Sequence, residues 1–260
     1  MELAILDGVL GPAEEARIPA TDEGLLRGDG AFEVLRVYGG RPFALDEHLA
    51  RLTGSAEGLR LPVDVDAVRA DVARVLAEIG ERDCCLRIVA TRGGRRLVLT
   101  EPLQPKPAAA RLGCVTYAPT RVLDGIKSLS YAGNMLASRL ARERGFDEAL
   151  LVTPHGRVLE APTATIFWAT GGELLTPPLD DHVLASITRA RVVELTGARE
   201  VPCTMDDLRG AEEAFLASTT REVQPVAAIE ERELAAPGPR TTEAASALRE
   251  RIGAELSRLS

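Results

Sequence analysis

Short apolar runs separated by turn residues fill the first hundred positions. Residues 2–10 hold two such runs around Asp7-Gly8, which predicts a hairpin. Residues 31–38 read as a strand that turns at Gly39-Gly40 into a second short strand at 42–45. The period then becomes helical. Leu49, Leu52, Ala56 and Leu59 form one apolar stripe behind Asp46, a good N-cap residue, and Pro62 closes the helix. Val68, Val72, Val75, Leu76 and Ile79 form a second stripe that stops at Gly80. Residues 85–91 and 96–100 are predicted strands on either side of Gly93-Gly94.

Three prolines fall within residues 101–107, and a strand follows at 112–118. Residues 119–126 read as a connection between two halves. The second half opens with a helix at 131–144 and a natural C-cap at Gly145. Strands at 150–153 and 158–159 flank Pro154-His155-Gly156; strands at 166–169 and 173–176 flank Gly171-Gly172. A helix at 187–195 ends at Gly197, a strand covers 215–218, and Leu248, Ile252, Leu256 and Leu259 mark a C-terminal amphipathic helix. The expectation is an α+β protein of two lobes. Residues 1–118 form a small N-terminal domain, 119–126 the connection and 127–260 a larger C-terminal domain. Its sheets are expected to be built from hairpins rather than alternating βαβ units. No internal repeat or low-complexity segment interrupts them.

Composition narrows the function classes. The chain has 260 residues, 45% of them hydrophobic, enough for a full core. Its net charge of −8, without a basic block, argues against nucleic acid or an anionic membrane as partner. No apolar run approaches the roughly 20 residues that span a bilayer. The start lacks a signal-peptide pattern, so a cytoplasmic protein is expected. Cys84, Cys85, Cys114 and Cys203 form no C-x-x-C pair, and His48, His155 and His182 are scattered. Neither a metal site nor a disulfide framework is indicated. Gly28 and Gly30 give only G-x-G before a strand, which fails as a dinucleotide loop, and no P-loop pattern occurs.

The basic residues carry the next clue. Of 31, only Lys106 and Lys127 are lysines; 29 are arginines. Lys106 lies between two prolines and reads as a solvated linker charge. Lys127 stands at the junction of the halves, just before a helix. It is either an ordinary surface lysine, the commoner reading of its local sequence, or a desolvated amine able to attack a carbonyl. Its company matters. Arg51, a helix starting near Ile187 behind Ser186, and the hydroxyl-rich Ser218-Thr219-Thr220 are parts from which a phosphate cradle is made. Glu160 is a carboxylate that could serve a heterocyclic cation.

Taken in order, several strings identify a family. They are RGDGAFEVLR (27–36), FALDEHLARL (43–52), KSLSYAGN (127–134), GFDEALLV (145–152), EAPTATIF (160–167), LLTPP (174–178), SITR (186–189) and STTREV (218–223), with Pro225-Val226 after them. From about Asp7 to Val226 the chain resembles the class IV, or fold type IV, pyridoxal-phosphate enzymes. These include branched-chain and D-amino-acid aminotransferases, R-selective amine transaminases and aminodeoxychorismate lyases. The resemblance implies a small N-terminal α/β sandwich-like domain, a larger domain with a barrel-like sheet, and a homodimer.

It also implies roles. Lys127 is expected to form the Schiff base with the aldehyde of pyridoxal 5'-phosphate and then to act as general base at Cα. Glu160 is expected to pair with the pyridine nitrogen, and Tyr131 to lie near the ring oxygen. Arg51, Ser186, Ile187, Thr188, Ser218 and Thr219 are expected around the phosphate. Arg27, Phe32, Arg36, Arg87, Arg92 and Thr220 are the candidates for substrate contact. The implied activity is ping-pong transfer of an amino group between a branched-chain or D-amino acid and a 2-oxo acid. The alternatives are aminodeoxychorismate cleavage to 4-aminobenzoate and pyruvate, and a noncatalytic cofactor-binding protein. Two departures stand out: Thr165 where the family commonly has Asn, and Ser186 where it commonly has Gly. The second matters only if the position needs a positive φ.

Overall fold

A computed structural model describes residues 1–258; Leu259, expected on the last helix, lies outside the described residues. The fold is mixed α+β with one curled, half-barrel sheet. Its contacts divide the chain into two compact units. Among the described residues, the first comprises 1–104, 126–131 and 255–258; the second comprises 105–125 and 132–254.

The first unit holds β1 (Leu3–Leu6), β2 (Val9–Pro12), α1 (Glu23–Arg27), β3 (Gly30–Tyr38), β4 (Arg41–Pro42), α2 (Leu45–Gly58), α3 (Val65–Ile79), β5 (Cys84–Thr91) and β6 (Arg96–Glu101). Its six strands pair in the order β2-β1-β6-β5-β3-β4, all antiparallel. Alternation decides what each face does. Ala31, Leu35 and Val37 of β3 turn into a core with Leu49, Leu52 and Ala56 of α2 and Val68, Val72 and Val75 of α3. Phe32, Val34, Arg36 and Tyr38 occupy the other face.

Helix α2 corrects two expectations. Its N-cap is Ala44, in the left-handed region at φ 57° with no side-chain cap bond, while Asp46 sits in the first turn. There a carboxylate still complements the helix dipole. The helix ends at Gly58 and not at Pro62. Arg60 takes φ 53°, and the Leu61 N–H folds back to the Ala56 carbonyl at 2.8 Å. Backbone turn geometry stops the helix before the proline can. Helix α3 follows its sequence: Asp64 caps it through the Ala67 N–H at 2.9 Å, and Gly80 ends it at φ 60°.

The second unit holds β7 (Ala110–Thr116), α4 (Ala132–Glu143), β8 (Glu148–Val152), β9 (Arg157–Val158), β10 (Thr165–Thr170), β11 (Glu173–Thr176), α5 (Ile187–Thr196), β12 (Arg199–Glu200), β13 (Cys203–Thr204), α6 (Met205–Arg209), β14 (Glu213–Ser218), β15 (Glu222–Ile229), β16 (Arg232–Glu233) and α7 (Pro239–Ser257). Nine strands run β12-β11-β10-β14-β15-β7-β8-β9-β13, with β16 beside β15. Here hairpins are not the whole account. Strands β7 and β8 are parallel with α4 between them, and β11 and β12 are parallel with α5 between them. Parallel neighbours require such crossovers, so this sheet does contain βαβ units. Strand β15 escaped the sequence reading because Pro225 interrupts it. Pro225 faces Phe215 of β14, one residue before the β7 ladder begins at Val226, so no β7 bond depends on its missing N–H. Leu112, Leu150, Ile166, Trp168, Leu216 and Val226 form the main core of this unit. Glu213, buried, accepts the Arg240 and Thr241 N–H groups at 2.9 and 2.8 Å and so caps the start of α7.

Gly30 is tightly enclosed in the first unit. A Cβ there would lie 2.4 Å from the Ala90 carbonyl oxygen and 2.6 Å from Leu129 Cδ1. Backbone cannot rotate aside, so Gly30→Ala is expected to lower stability by about 1–3 kcal/mol. Denaturant unfolding measures this, and a loss below about 0.5 kcal/mol would show that the contact relaxes freely.

Candidate active site

The backbone of Lys127 belongs to the first unit. Residues 127–129 form an antiparallel bridge with the start of β3. The Phe32 N–H donates to the Lys127 carbonyl at 3.0 Å, the Leu129 N–H donates to the Gly30 carbonyl at 2.8 Å, and Ala31 bridges Ser128. The Lys127 N–H donates to Ser55 Oγ on α2 at 3.1 Å. Both polar groups of this peptide are therefore fixed. Lys127 Nζ lies 4.4 Å from the centre of the Phe32 ring and 5.6 Å from that of Tyr131. The two rings meet edge to face at 5.3 Å. Aromatic faces attract an ammonium and steer it.

Below this lies a buried charge cluster that the sequence reading missed. Glu33 points to the helix side of β3 and is fully buried. Arg51 donates to it in a fork, Nε to Oε1 and Nη2 to Oε2, both at 2.7 Å. His48 Nδ1 meets Oε2 at 2.7 Å. Burial alone would push the Glu33 carboxyl up, but the hydrogen bonds from Arg51 and His48 outweigh it and hold it below the ordinary range. For His48, burial dominates and pushes the imidazole down despite Glu33, so the ring is neutral with its proton on Nδ1. The signal was available: an acid at a core-facing position of an apolar strand, and His48 and Arg51 one turn apart on the helix that covers it.

The substrate candidates divide. Phe32, Arg36 and Arg87 share the sheet face away from α2 and α3, through the registers Phe32 to Val89, Val34 to Arg87 and Arg36 to Cys85. Arg87 forks onto Glu101 at 2.8 and 3.0 Å, and Arg36 lies 4.4 Å over the Tyr38 ring. Arg27 is at the surface of α1, paired with Glu23. Arg92 is spent on structure: it holds Asp29 at 3.0 Å and the carbonyls of Leu59 and Arg60 at 2.6 and 2.7 Å.

The remaining candidates belong to the second unit. Glu160 follows β9, and its Oε1 accepts the Leu184 N–H at 3.2 Å. Beside it the Tyr117 hydroxyl donates to Asn134 Oδ1 at 3.1 Å, while Asn134 Nδ2 donates to the Pro162 carbonyl at 3.2 Å. Burial, with the Glu160 charge added, pushes the Tyr117 hydroxyl up. Ser186 caps α5, its Oγ accepting the Arg189 N–H at 3.2 Å. Its φ is −75°, so the position tolerates serine in place of glycine. The first-turn N–H groups of Ile187 and Thr188 point out of the helix start, where anions bind. Ser218 Oγ is buried and meets no hydrogen-bond partner among the described residues; the same holds for Thr165 Oγ1. Thr219 and Thr220 are half-buried in the turn that follows.

The sequence profile named Amino-transferase class IV matches residues 30–229. A D-alanine aminotransferase from Bacillus licheniformis is 31% identical, over 98% of this chain and 98% of its own. A branched-chain aminotransferase from Thermoproteus uzoniensis, solved with norvaline, superposes at a TM-score of 0.89 with 29% identity, covering 96% of this chain and 94% of its own. The PLP-bound form of a hypothetical aminotransferase from Mycobacterium tuberculosis gives 0.87 with 25% identity, covering 98% and 100%. The chain belongs to the class IV aminotransferases. Among the described residues no cluster of metal ligands is present, and no helix is long and apolar enough to cross a membrane.

The Glu33 cluster makes the first unit sensitive to acid in two windows. His48 has a folded pKa below its ordinary 6.5, so the unfolded chain takes the proton first and stability falls as pH drops below about 6.5. Glu33 has a folded pKa below its ordinary 4.5, so its contribution is complete above that and is lost as pH falls through the lower folded value. His48→Gln is expected to flatten the upper window and keep the lower one in denaturant unfolding against pH. An unchanged slope between about pH 6.5 and 5 would show that His48 is not held neutral.

Proposed function

We propose that this class IV aminotransferase uses pyridoxal 5'-phosphate to move an amino group between a branched-chain or D-amino acid and a 2-oxo acid, as a cytoplasmic homodimer. The observation that carries the proposal is Lys127, a primary amine whose peptide is fixed on both sides and whose Nζ lies against two aromatic rings.

The donor set supports the cofactor. In the second unit, a buried Ser218 hydroxyl that meets no partner among the described residues and a helix start with outward N–H groups at Ile187 and Thr188 suit a phosphate monoester; in the first unit, the Arg51 guanidinium has the chemistry for the same anion. Glu160 suits a pyridine nitrogen that must stay protonated. When bound, the cofactor supplies a carbonyl carbon and an electron-withdrawing ring. The protein's part is acid–base chemistry and placement. With the cofactor bound, Lys127 Nζ would be the base that accepts and carries the proton from the substrate Cα. Phe32 and Tyr131 limit where that amine can point. Glu33 fixes Arg51 while cancelling part of its charge. Arg36 and Arg87 remain the candidates for a substrate carboxylate, Arg87 through exchange with Glu101.

Lys127→Arg is expected to keep charge and fold and to abolish turnover, because a guanidinium does not lose its proton to become a nucleophile. Lys106→Arg is expected to be nearly silent. Conversion of the bound aldehyde to the amine by L- and D-amino acids, followed by absorbance, tests the reaction and its enantiomer together. Turnover by Lys127→Arg would overturn the proposal, and release of pyruvate from aminodeoxychorismate without an amino acceptor would redirect it to a lyase.

A further inference from the structure

The second unit contains an ion pair that none of the roles above uses. Glu148, in β8, is 4% exposed. Its Oε1 accepts from the Ser138 hydroxyl of α4 at 2.7 Å and from the Ala149 N–H at 3.2 Å, and its Oε2 takes an N–H of Arg221. The Arg221 side chain is itself only 6% exposed. Its Nη1 donates to Gln224 Oε1 at 2.7 Å and its Nη2 also reaches Thr163 Oγ1 at 3.3 Å. Gln224 in turn donates to the Pro107 carbonyl at 2.8 Å. Most arginines in this chain sit on carboxylates near solvent; taking this pair out of water is costly and calls for a reason.

The reason lies in what the guanidinium ties together. Arg221 closes the turn after β14, its own N–H donating to the Ser218 carbonyl at 3.2 Å. The next residue, Glu222, holds φ 57°, a conformation a side chain does not adopt without support. The turn carries the buried, unpartnered Ser218 hydroxyl. Thr163, the other contact, lies three residues after Glu160 in the segment leading to β10. One planar group thus fixes the Ser218 turn and the Glu160 segment to the same carboxylate.

We infer that Arg221, seated on Glu148, is a positioning residue for the cofactor phosphate: it holds the Ser218–Arg221 turn in the shape that presents the Ser218 hydroxyl and the turn to a phosphate monoester, without touching the phosphate itself. The inference rests on the pyridoxal-phosphate reading. It is tested by stripping the full chain of cofactor and titrating it with pyridoxal 5'-phosphate and with pyridoxal, which has the same ring and aldehyde but no phosphate. Arg221→Lys keeps the charge against Glu148 and loses the fork. It is expected to weaken pyridoxal 5'-phosphate about tenfold or more while pyridoxal changes by less than about twofold. Gln224→Leu keeps the ion pair and removes the Nη1 acceptor together with the bond to the Pro107 carbonyl; the same selective loss is expected at about threefold, and it decides the matter if Arg221→Lys does not fold. Equal weakening of both ligands, or an unchanged ratio, would mean that the network serves the fold alone and would overturn the inference. A parent protein that binds neither ligand would instead overturn the cofactor reading, and the inference with it.

Discussion

A peptide whose N–H and C=O are both engaged can offer only its side chain, and that constraint governs the first unit. The N–H of Lys127 is fixed on Ser55 of α2 and its carbonyl on Phe32 of β3. This requires Gly30, because any Cβ there would collide with the Ala90 carbonyl and with Leu129. Gly58 eases the fit, because a Cβ on that turn of α2 would come within 2.8 Å of Ile126 Cδ1, the end of a side chain that would have to shift. Phe32 and Tyr131 meet edge to face and both border the amine. Two glycines, one serine and two aromatic rings, drawn from β3, α2 and residues 126–131, thus converge around a single lysine.

Buried acids repeat the same logic elsewhere. Glu33, Glu148 and Glu213 are each almost wholly withdrawn from water, and each is surrounded by donors. Glu33 has Arg51 and His48; Glu148 has Arg221, Ser138 and a backbone N–H; Glu213 has the first N–H groups of α7 and the Thr241 hydroxyl. A buried carboxylate is tolerated only when its lone pairs are filled. Each of the three therefore joins elements distant in sequence: a strand to a helix, a strand to a turn, a strand to a terminal helix. Specific attachment, rather than bulk burial, is what these residues add.

Much of this was legible from the residue pattern. Helix α3 runs from its Asp64 cap to Gly80, and the hairpin turns fall at their glycines. What the pattern hid has physical causes. Strand β15 was hidden by Pro225, tolerated because the adjoining ladder starts one residue later. The end of α2 was hidden because Arg60, not a glycine, takes the left-handed conformation. Parallel pairing of β7 with β8 is a long-range choice that local periodicity does not encode. Among the chemical residues, Lys127 was exposed by its rarity. Glu33 and Arg221 were obscured by abundance: in a chain rich in acids and arginines, only burial separates an interior ion pair from one at the surface.

The bridge between residues 127–129 and β3 also bears on how the chain assembles. It joins positions about a hundred residues apart, whereas the rest of the first unit's sheet lies within residues 1–101. As the chain leaves the ribosome, that sheet can close before the lysine has been made. The lysine's seat is then the open start of β3 in a finished sheet, paired by a later stretch of chain. Closing so long a loop adds little to the entropy of closing a shorter one, but it cannot be early. Lys127 is therefore among the last parts of the first unit to find its place, after the surfaces that border its amine have formed.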